Sequence, residues 1–111
     1  TLIFSANQAI LASKAGAKYV SPFIGRLNDQ YWEGITLVEE ISDIFSTHSS
    51  KTEVLAASIR DPYQVSKCFR VGADICTLPW DIFNHMYDHC LTDMGLDKFD
   101  KDWNQLQQRL P

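Results

Sequence analysis

Twice in this chain a helical stretch stops at Gly-Ala, a short apolar run follows, and proline plus an aromatic residue closes it. The first copy runs from Gly16-Ala17 to Pro22-Phe23, the second from Gly72-Ala73 to Pro79-Trp80. Glycine readily takes the left-handed conformation that ends a helix. Proline has no backbone donor, so a central strand should stop there. Helices alternating with short buried strands imply a parallel sheet, because parallel neighbours need a crossover between them.

The rest of the chain fits that alternation. Thr1-Leu2-Ile3-Phe4 reads as the end of a buried strand. Ser5 caps a helix over residues 7–14. Residues 18–21 form a second strand. The polar stretch 24–34, with Asn28, Asp29, Gln30 and Gly34, reads as the longest loop, and long loops in compact domains tend to be functional. Over residues 35–45, Ile35, Leu37, Val38, Ile41, Ile44 and Phe45 recur at helical spacing and make one face. Residues 53–57 are a third strand, and Asp61 and Pro62 are N-cap and first residue of a helix over 63–71. Residues 73–78 are a fourth strand, followed by a helix over 80–89. A turn at 93–95 leads to a last amphipathic helix over 96–110 that carries Leu96, Phe99, Trp103 and Leu106.

Four βα units in line suit a doubly wound sheet or half of a (β/α)8 TIM barrel. Periodicity does not choose between them. A whole barrel takes roughly 250 residues, so a chain of 111 supplies about half. Residues 1–95 then form the half-barrel, and 96–111 a terminal helix suited to an oligomer contact. The chain starts at Thr1 without a methionine, directly in a strand, which reads as a fragment or a processed chain.

A net charge of −4 argues against non-specific nucleic-acid binding. No apolar run is long enough to span a membrane, and the first residues do not resemble a signal peptide. Cys68, Cys76 and Cys90 are odd in number and lack CxxC spacing. A disulfide framework or zinc site is therefore not expected, and a reducing cytoplasm fits best. His85 and His89, at i and i+4 beside Asp88 and Cys90, would share a helix face, but no HExxH pattern accompanies them and no metal is expected. No cofactor is implied either.

In a parallel α/β fold the C-terminal strand ends share one face, where ligands bind. That face collects Ser5, Ser21, Phe23, Arg26, Ser58 and Arg60. Two arginines and up to three hydroxyls on neighbouring loops make a phosphate site, and the start of the helix at Pro62 adds a favourable dipole. The plainer alternative makes Arg26 and Arg60 solvated loop residues, paired with Asp29 and Asp61. No GxGxxG or Walker loop is present.

At these residues the sequence resembles the transaldolase family, especially its short subfamily that includes the fructose-6-phosphate aldolases. The resemblance lies in Thr1 to Ala9 (TLIFSANQA), Tyr19 to Arg26 (YVSPFIGR), the segment ending Ala57-Ser58-Ile59-Arg60, Gly72 to Pro79 (GADICTLP) and Leu91 to Phe99 (LTDMGLDKF). It covers essentially the whole chain in order.

The resemblance implies strands five to eight of a class I aldolase-type barrel. It implies that a lysine Schiff base transfers a dihydroxyacetone unit between sugar phosphates of the fructose 6-phosphate, erythrose 4-phosphate and sedoheptulose 7-phosphate class, in the pentose phosphate pathway. By the same resemblance Arg26, Ser58 and Arg60 hold the substrate phosphate, and Ser21 lies near the dihydroxyacetone carbons. Thr1 helps hold the catalytic water, and the terminal helix packs in a homo-oligomer. Phe23 forms an active-site wall. Transaldolases typically have Phe there and fructose-6-phosphate aldolases Tyr, so Phe23 tips the reading toward transaldolase. The family's Schiff-base lysine sits one βα unit before Thr1, and none of Lys14, Lys18, Lys51, Lys67, Lys98 and Lys101 matches its position. The chain alone is therefore expected to be inactive. The alternatives are a non-catalytic half-barrel that binds sugar phosphate or self-associates, and a fructose-6-phosphate aldolase.

Overall fold

The computed structural model describes all 111 residues. Ser5 is extended, and its hydroxyl accepts the Gln8 N–H at 3.2 Å, which starts α1, Ala6–Lys14. β1 is Tyr19–Val20, and α2, Ile24–Asp29, follows it directly. α3 is Gly34–Thr47 and β2 is Glu53–Ala56. Asp61 caps α4, Pro62–Arg70, by accepting the Gln64 N–H at 2.9 Å, with proline in the first turn. β3 is Ile75–Cys76, α5 is Trp80–His85 and α6 is Cys90–Arg109. Gly16 and Gly72 have φ of +94° and +108°, the left-handed positions expected after α1 and α4.

The strands are parallel in the order β1-β2-β3, with Val20 opposite Val54 and Ala56 opposite Cys76. Ile3 adds a parallel bridge to Pro22, so the first segment lies beside the end of β1. Pairing does not stop at Pro22: its carbonyl accepts the Ala57 N–H at 3.0 Å, and Phe23 bridges Ala57. The proline removes a ladder donor without ending the contact.

α1 packs on β1 and α3, α3 on β2 and α4, and α4 on β3. The row of helices follows the strand order, and Val54 and Ala56 are buried while Glu53 and Leu55 are half-buried. The core is Ala9, Val20, Ile24, Val38, Ile41, Val54, Val65 and Cys68 with their neighbours. A doubly wound sheet carries helices on both faces and reverses its strand order. This sheet does neither, and its α/β content fits part of a (β/α) barrel.

Several elements differ from the sequence expectation. Residues 24–29 are helical, not loop, because Ile24 and Leu27, one turn apart, are both buried and anchor α2. The turn expected at 93–95 is absent. α6 runs unbroken from Cys90, and His89 Nδ1 caps it by accepting the Leu91 N–H at 3.1 Å. Gly95 meets nothing within 4 Å, so its place in a helix carries only the propensity penalty, about 1 kcal/mol. The helix over 80–89 ends at His85, so His85 and His89 do not share a helix face. His85 Nδ1 lies 3.0 Å from Asp88 Oδ2 instead. No group of three or more His, Cys, Asp or Glu is placed to hold a metal ion.

α6 buries no residue. A compact chain of this length has a radius of gyration of about 13 Å. The observed value is 20.2 Å, and the long axis is 71 Å. No helix is long and apolar enough to cross a membrane.

Candidate functional site

A cleft of about 610 Å³ opens beside the ends of β1 and β2, lined by Phe4, Arg26, Leu27, Asp29, Gln30, Trp32 and Arg60. It joins the residues after three successive parallel segments: Phe4 after the first, α2 after β1, and Arg60 after β2. Both arginines singled out from the sequence are in it.

Arg26 stands in the first turn of α2 and is exposed. Its guanidinium carbon lies 5.0 Å from the centre of the Phe23 ring, within cation–π range. The Phe23 ring meets Phe4 edge-on at 5.9 Å. Phe23 thus touches both the Arg26 guanidinium and Phe4, beside the cleft rather than among its lining residues. Arg26 makes no ion pair, so all five of its N–H donors face solvent or a ligand.

Arg60 is held differently. Its Nη1 and Nη2 donate to Asp29 Oδ1 and Oδ2, each at 2.7 Å. This is the bidentate geometry of the strongest charge-assisted hydrogen bonds. The hydrogen bond from Arg60 holds the Asp29 carboxyl below its ordinary range, and the same bond raises Arg60. The backbone N–H of Arg60 donates to Gln64 Oε1 at 3.0 Å, tying the loop to α4.

Ser58 has φ of +57°, a left-handed conformation uncommon for a residue with a Cβ. The twist presents its carbonyl to the Gly25 N–H at 2.8 Å. Strain of this kind persists only where surrounding contacts over-determine the backbone. Here the contacts are Gly25 on one side and the buried Ile59 on the other. The result locks the loop after β2 onto the start of α2.

The remaining expected residues do not line the cleft. Ser58 is half-buried, and its carbonyl is the group in use. Ser21 is half-buried, and its carbonyl accepts the Ile3 N–H at 3.1 Å. The Ser5 hydroxyl is committed to capping α1. Thr1 is exposed at the start of the chain. The first turn of α4 is capped by the Asp61 carboxylate, so its positive end already faces an anion. Asp61 is not Arg60's partner. All six lysines are exposed.

Sequence reasoning missed Phe4, Leu27, Trp32 and Gln64, and named Gln30 only as part of the polar stretch. The pairing of Ile24 with Leu27 at helical spacing was a legible signal of α2. Trp32, a large aromatic inside a polar stretch, was another.

The family model for Transaldolase/Fructose-6-phosphate aldolase matches residues 1–110. A probable transaldolase of Brachyspira hyodysenteriae is 54% identical over 103 residues, 93% of this chain and 48% of that protein. A probable transaldolase of Clostridioides difficile is 52% identical over 110 residues, 99% of this chain and 51% of that protein. A third, from Aquifex aeolicus, is 50% identical over 109 residues, 98% of this chain and 50% of that protein. The chain spans about half the length of the curated relatives it matches. Among solved structures it is similar to a mutant mandelate oxidase with a monooxide FMN adduct, with a TM-score of 0.52, 25% identity, and coverage of 69% of this chain and 24% of that one. With these relatives beside the arginine cleft, the chain belongs to the transaldolase/fructose-6-phosphate aldolase family.

Proposed function

We propose that these residues are the phosphate-binding half of a transaldolase, the last four strands of its barrel with their helices. The enzyme transfers a dihydroxyacetone unit between sugar phosphates through a lysine Schiff base. The observation that carries this reading is that Arg26 and Arg60, from consecutive strand-end segments, line one cleft. Two guanidinium forks, one from α2 and one from the loop after β2, suit a phosphate better than a neutral group. The probable transaldolases at about half identity support the same reaction class.

An imine-forming lysine must be unprotonated to attack, which calls for burial or a neighbouring cation. All six lysines of this chain are exposed. The nucleophile in this reading belongs to the other half of the barrel, on the strand before the Thr1 segment. This chain contributes the phosphate grip of Arg26, Arg60 and Ser58, the Phe23 wall, Ser21 near the donor carbons, and Thr1 beside the catalytic water. No metal or organic cofactor takes part, and the cytoplasm is the proposed site of action. Phe23 favours transaldolase over fructose-6-phosphate aldolase, because a phenyl ring cannot donate a proton or hold water as a phenol can.

The tail extends the proposal to a homo-oligomer. α6 leaves Leu96, Phe99, Trp103 and Leu106 exposed along one stripe, and a neighbouring subunit of the same protein is its proposed cover.

A second reading, a non-catalytic half-barrel that binds sugar phosphate, is favoured by the exposure of every lysine. Borohydride treatment of the native gene product with fructose 6-phosphate separates the two. A reduced sugar adduct on a chain about twice this length supports the transaldolase. A chain of 12.7 kDa without adduct overturns it in favour of the binder.

A further inference from the structure

We propose that Asp29 is a positioning residue of the phosphate grip, holding the Arg60 guanidinium in one orientation across the cleft so that its free edge meets the substrate phosphate. This rests on the sugar-phosphate reading of the cleft.

The ion pair is poorly placed to matter for stability. The side chains of Arg60 and Asp29 are 50% and 49% exposed, and pairs that face water contribute little to folding. Yet its geometry is closely constrained, with two bonds of 2.7 Å between residues 31 apart in sequence. What such a pair does fix is direction. An arginine at a loop rim otherwise samples many rotamers, and its planar fork binds a phosphate well only when it arrives already aimed.

The donors divide cleanly. Arg60 has five N–H groups. Asp29 takes one from each Nη. Nε–H and the second hydrogen on each Nη remain for an anion. The stem is also held: a Cβ on Gly25 would lie 2.8 Å from Arg60 Cγ and 2.6 Å from Nε, so the chain lies flat on the α2 backbone. Asp29 therefore fixes the tip of a side chain whose middle rests on Gly25.

Asp29 and Arg26 stand three residues apart on α2, on neighbouring positions of one helix face. The short helix thus presents one arginine directly and orients the other. The carboxylate also offsets part of the repulsion between two guanidinium groups that share a cleft. It repels the phosphate as well, so the two roles of Asp29 predict opposite effects when it is removed. Loss of charge alone should tighten phosphate binding. Loss of the tie should weaken it.

The experiment measures kcat and KM in the whole gene product for the wild type, Asp29→Ala, Asp29→Asn, Arg60→Ala and the Asp29→Ala/Arg60→Ala double variant. The donors are fructose 6-phosphate and dihydroxyacetone, which carries no phosphate. The expected result is a KM for fructose 6-phosphate raised about tenfold in Asp29→Ala, the scale of a misaimed binding group. The rise should be smaller for dihydroxyacetone, and kcat should move less than KM. In the Arg60→Ala background Asp29→Ala should add nothing, because the residue acts through Arg60. If Asp29→Ala does not fold, the same comparison with Asp29→Asn decides the matter, since the amide keeps the size and one acceptor. A KM that stays level or falls when Asp29 is replaced, while Arg60→Ala raises it, overturns the positioning role and leaves the phosphate cleft standing. An Arg60→Ala variant with unaltered KM overturns both.

Discussion

Arg60 lies directly across Gly25, so that a Cβ on Gly25 would sit 2.6 Å from Arg60 Nε and would also strike the Ser58 carbonyl oxygen. Gly25 is buried, and its N–H is the donor that holds the Ser58 carbonyl. Gly25→Ala must push the loop after β2 away from α2. Overpacking of this kind costs about 1–3 kcal/mol. We expect a lower urea midpoint and a weaker grip on phosphorylated substrates together, because one contact serves both. A variant with wild-type midpoint and KM would show that the loop yields freely.

Arg26→Ala should separate these two effects. The side chain is exposed and unpaired, so folding has little to lose. A charge-assisted hydrogen bond is worth about 1.5–3 kcal/mol, which corresponds to a KM for sugar phosphates raised roughly 10- to 100-fold. Arg26→Lys keeps the charge and loses the fork, so it should recover only part of the affinity. Steady-state kinetics with a thermal melt checks both. An unaltered KM removes Arg26 from the site.

The Arg60–Asp29 pair should persist across the working pH range. Arg60 lowers the Asp29 pKa in the folded protein. The interaction is therefore fully present above the unfolded value, about 3.9, and is lost as pH falls through the lower folded value. Arg60 is raised by the same bond, so its side of the pair is lost only above the ordinary arginine range. Carbon-detected NMR should place the Asp29 midpoint below ordinary carboxylates, and Arg60→Ala should move it up. A midpoint that Arg60→Ala leaves in place would mean the pair does not persist in solution.

The starts and stops of α1 and α4 were legible because they are local, whereas strand pairing did not stop at Pro22. Gly16 and Gly72 take the left-handed conformation that their position after a helix demands, and Ser5 and Asp61 cap the helices they precede. α2 was read as loop because its polar residues Arg26, Asn28 and Asp29 outweighed the signal of the two apolar ones, Ile24 and Leu27, that bury it. The continuity of α6 was missed for a related reason. Thr92, Asp93 and Gly95 carry turn chemistry, and only the cap at His89 shows that they lie inside a helix. At the site, Arg26 and Arg60 were legible because strand ends converge. Which of two aspartates pairs with Arg60 was not, because the answer depends on the left-handed Ser58 turn, which no residue preference announces.

Cys68 and Cys90 should differ sharply in reactivity. Cys68 is buried on α4, and the neighbouring Cys76 thiol together with burial raises its pKa well above the ordinary thiol value. Only the thiolate attacks alkylating reagents. At neutral pH iodoacetamide should modify the exposed Cys90 well before Cys68, which it should reach only when the chain unfolds. Peptide mass mapping over time checks the order. Early modification of Cys68 would mean that α4 opens readily from β3.

α6 offers the sharpest test of assembly. Leu96, Phe99, Trp103 and Leu106 follow in steps of three and four, the spacing of a helix seam, and all are exposed. Burial of one large apolar side chain contributes about 1.5–3 kcal/mol, so Phe99→Asp or Trp103→Asp should weaken association by at least about tenfold. Folding of the βα layers should be untouched, because α6 contributes no residue to the core. Sedimentation velocity on the whole gene product should show an oligomer that these variants shift to smaller species at equal concentration. If wild type and variants have the same mass and the variants instead melt earlier, the stripe covers its own chain, and the assembly role of α6 is overturned.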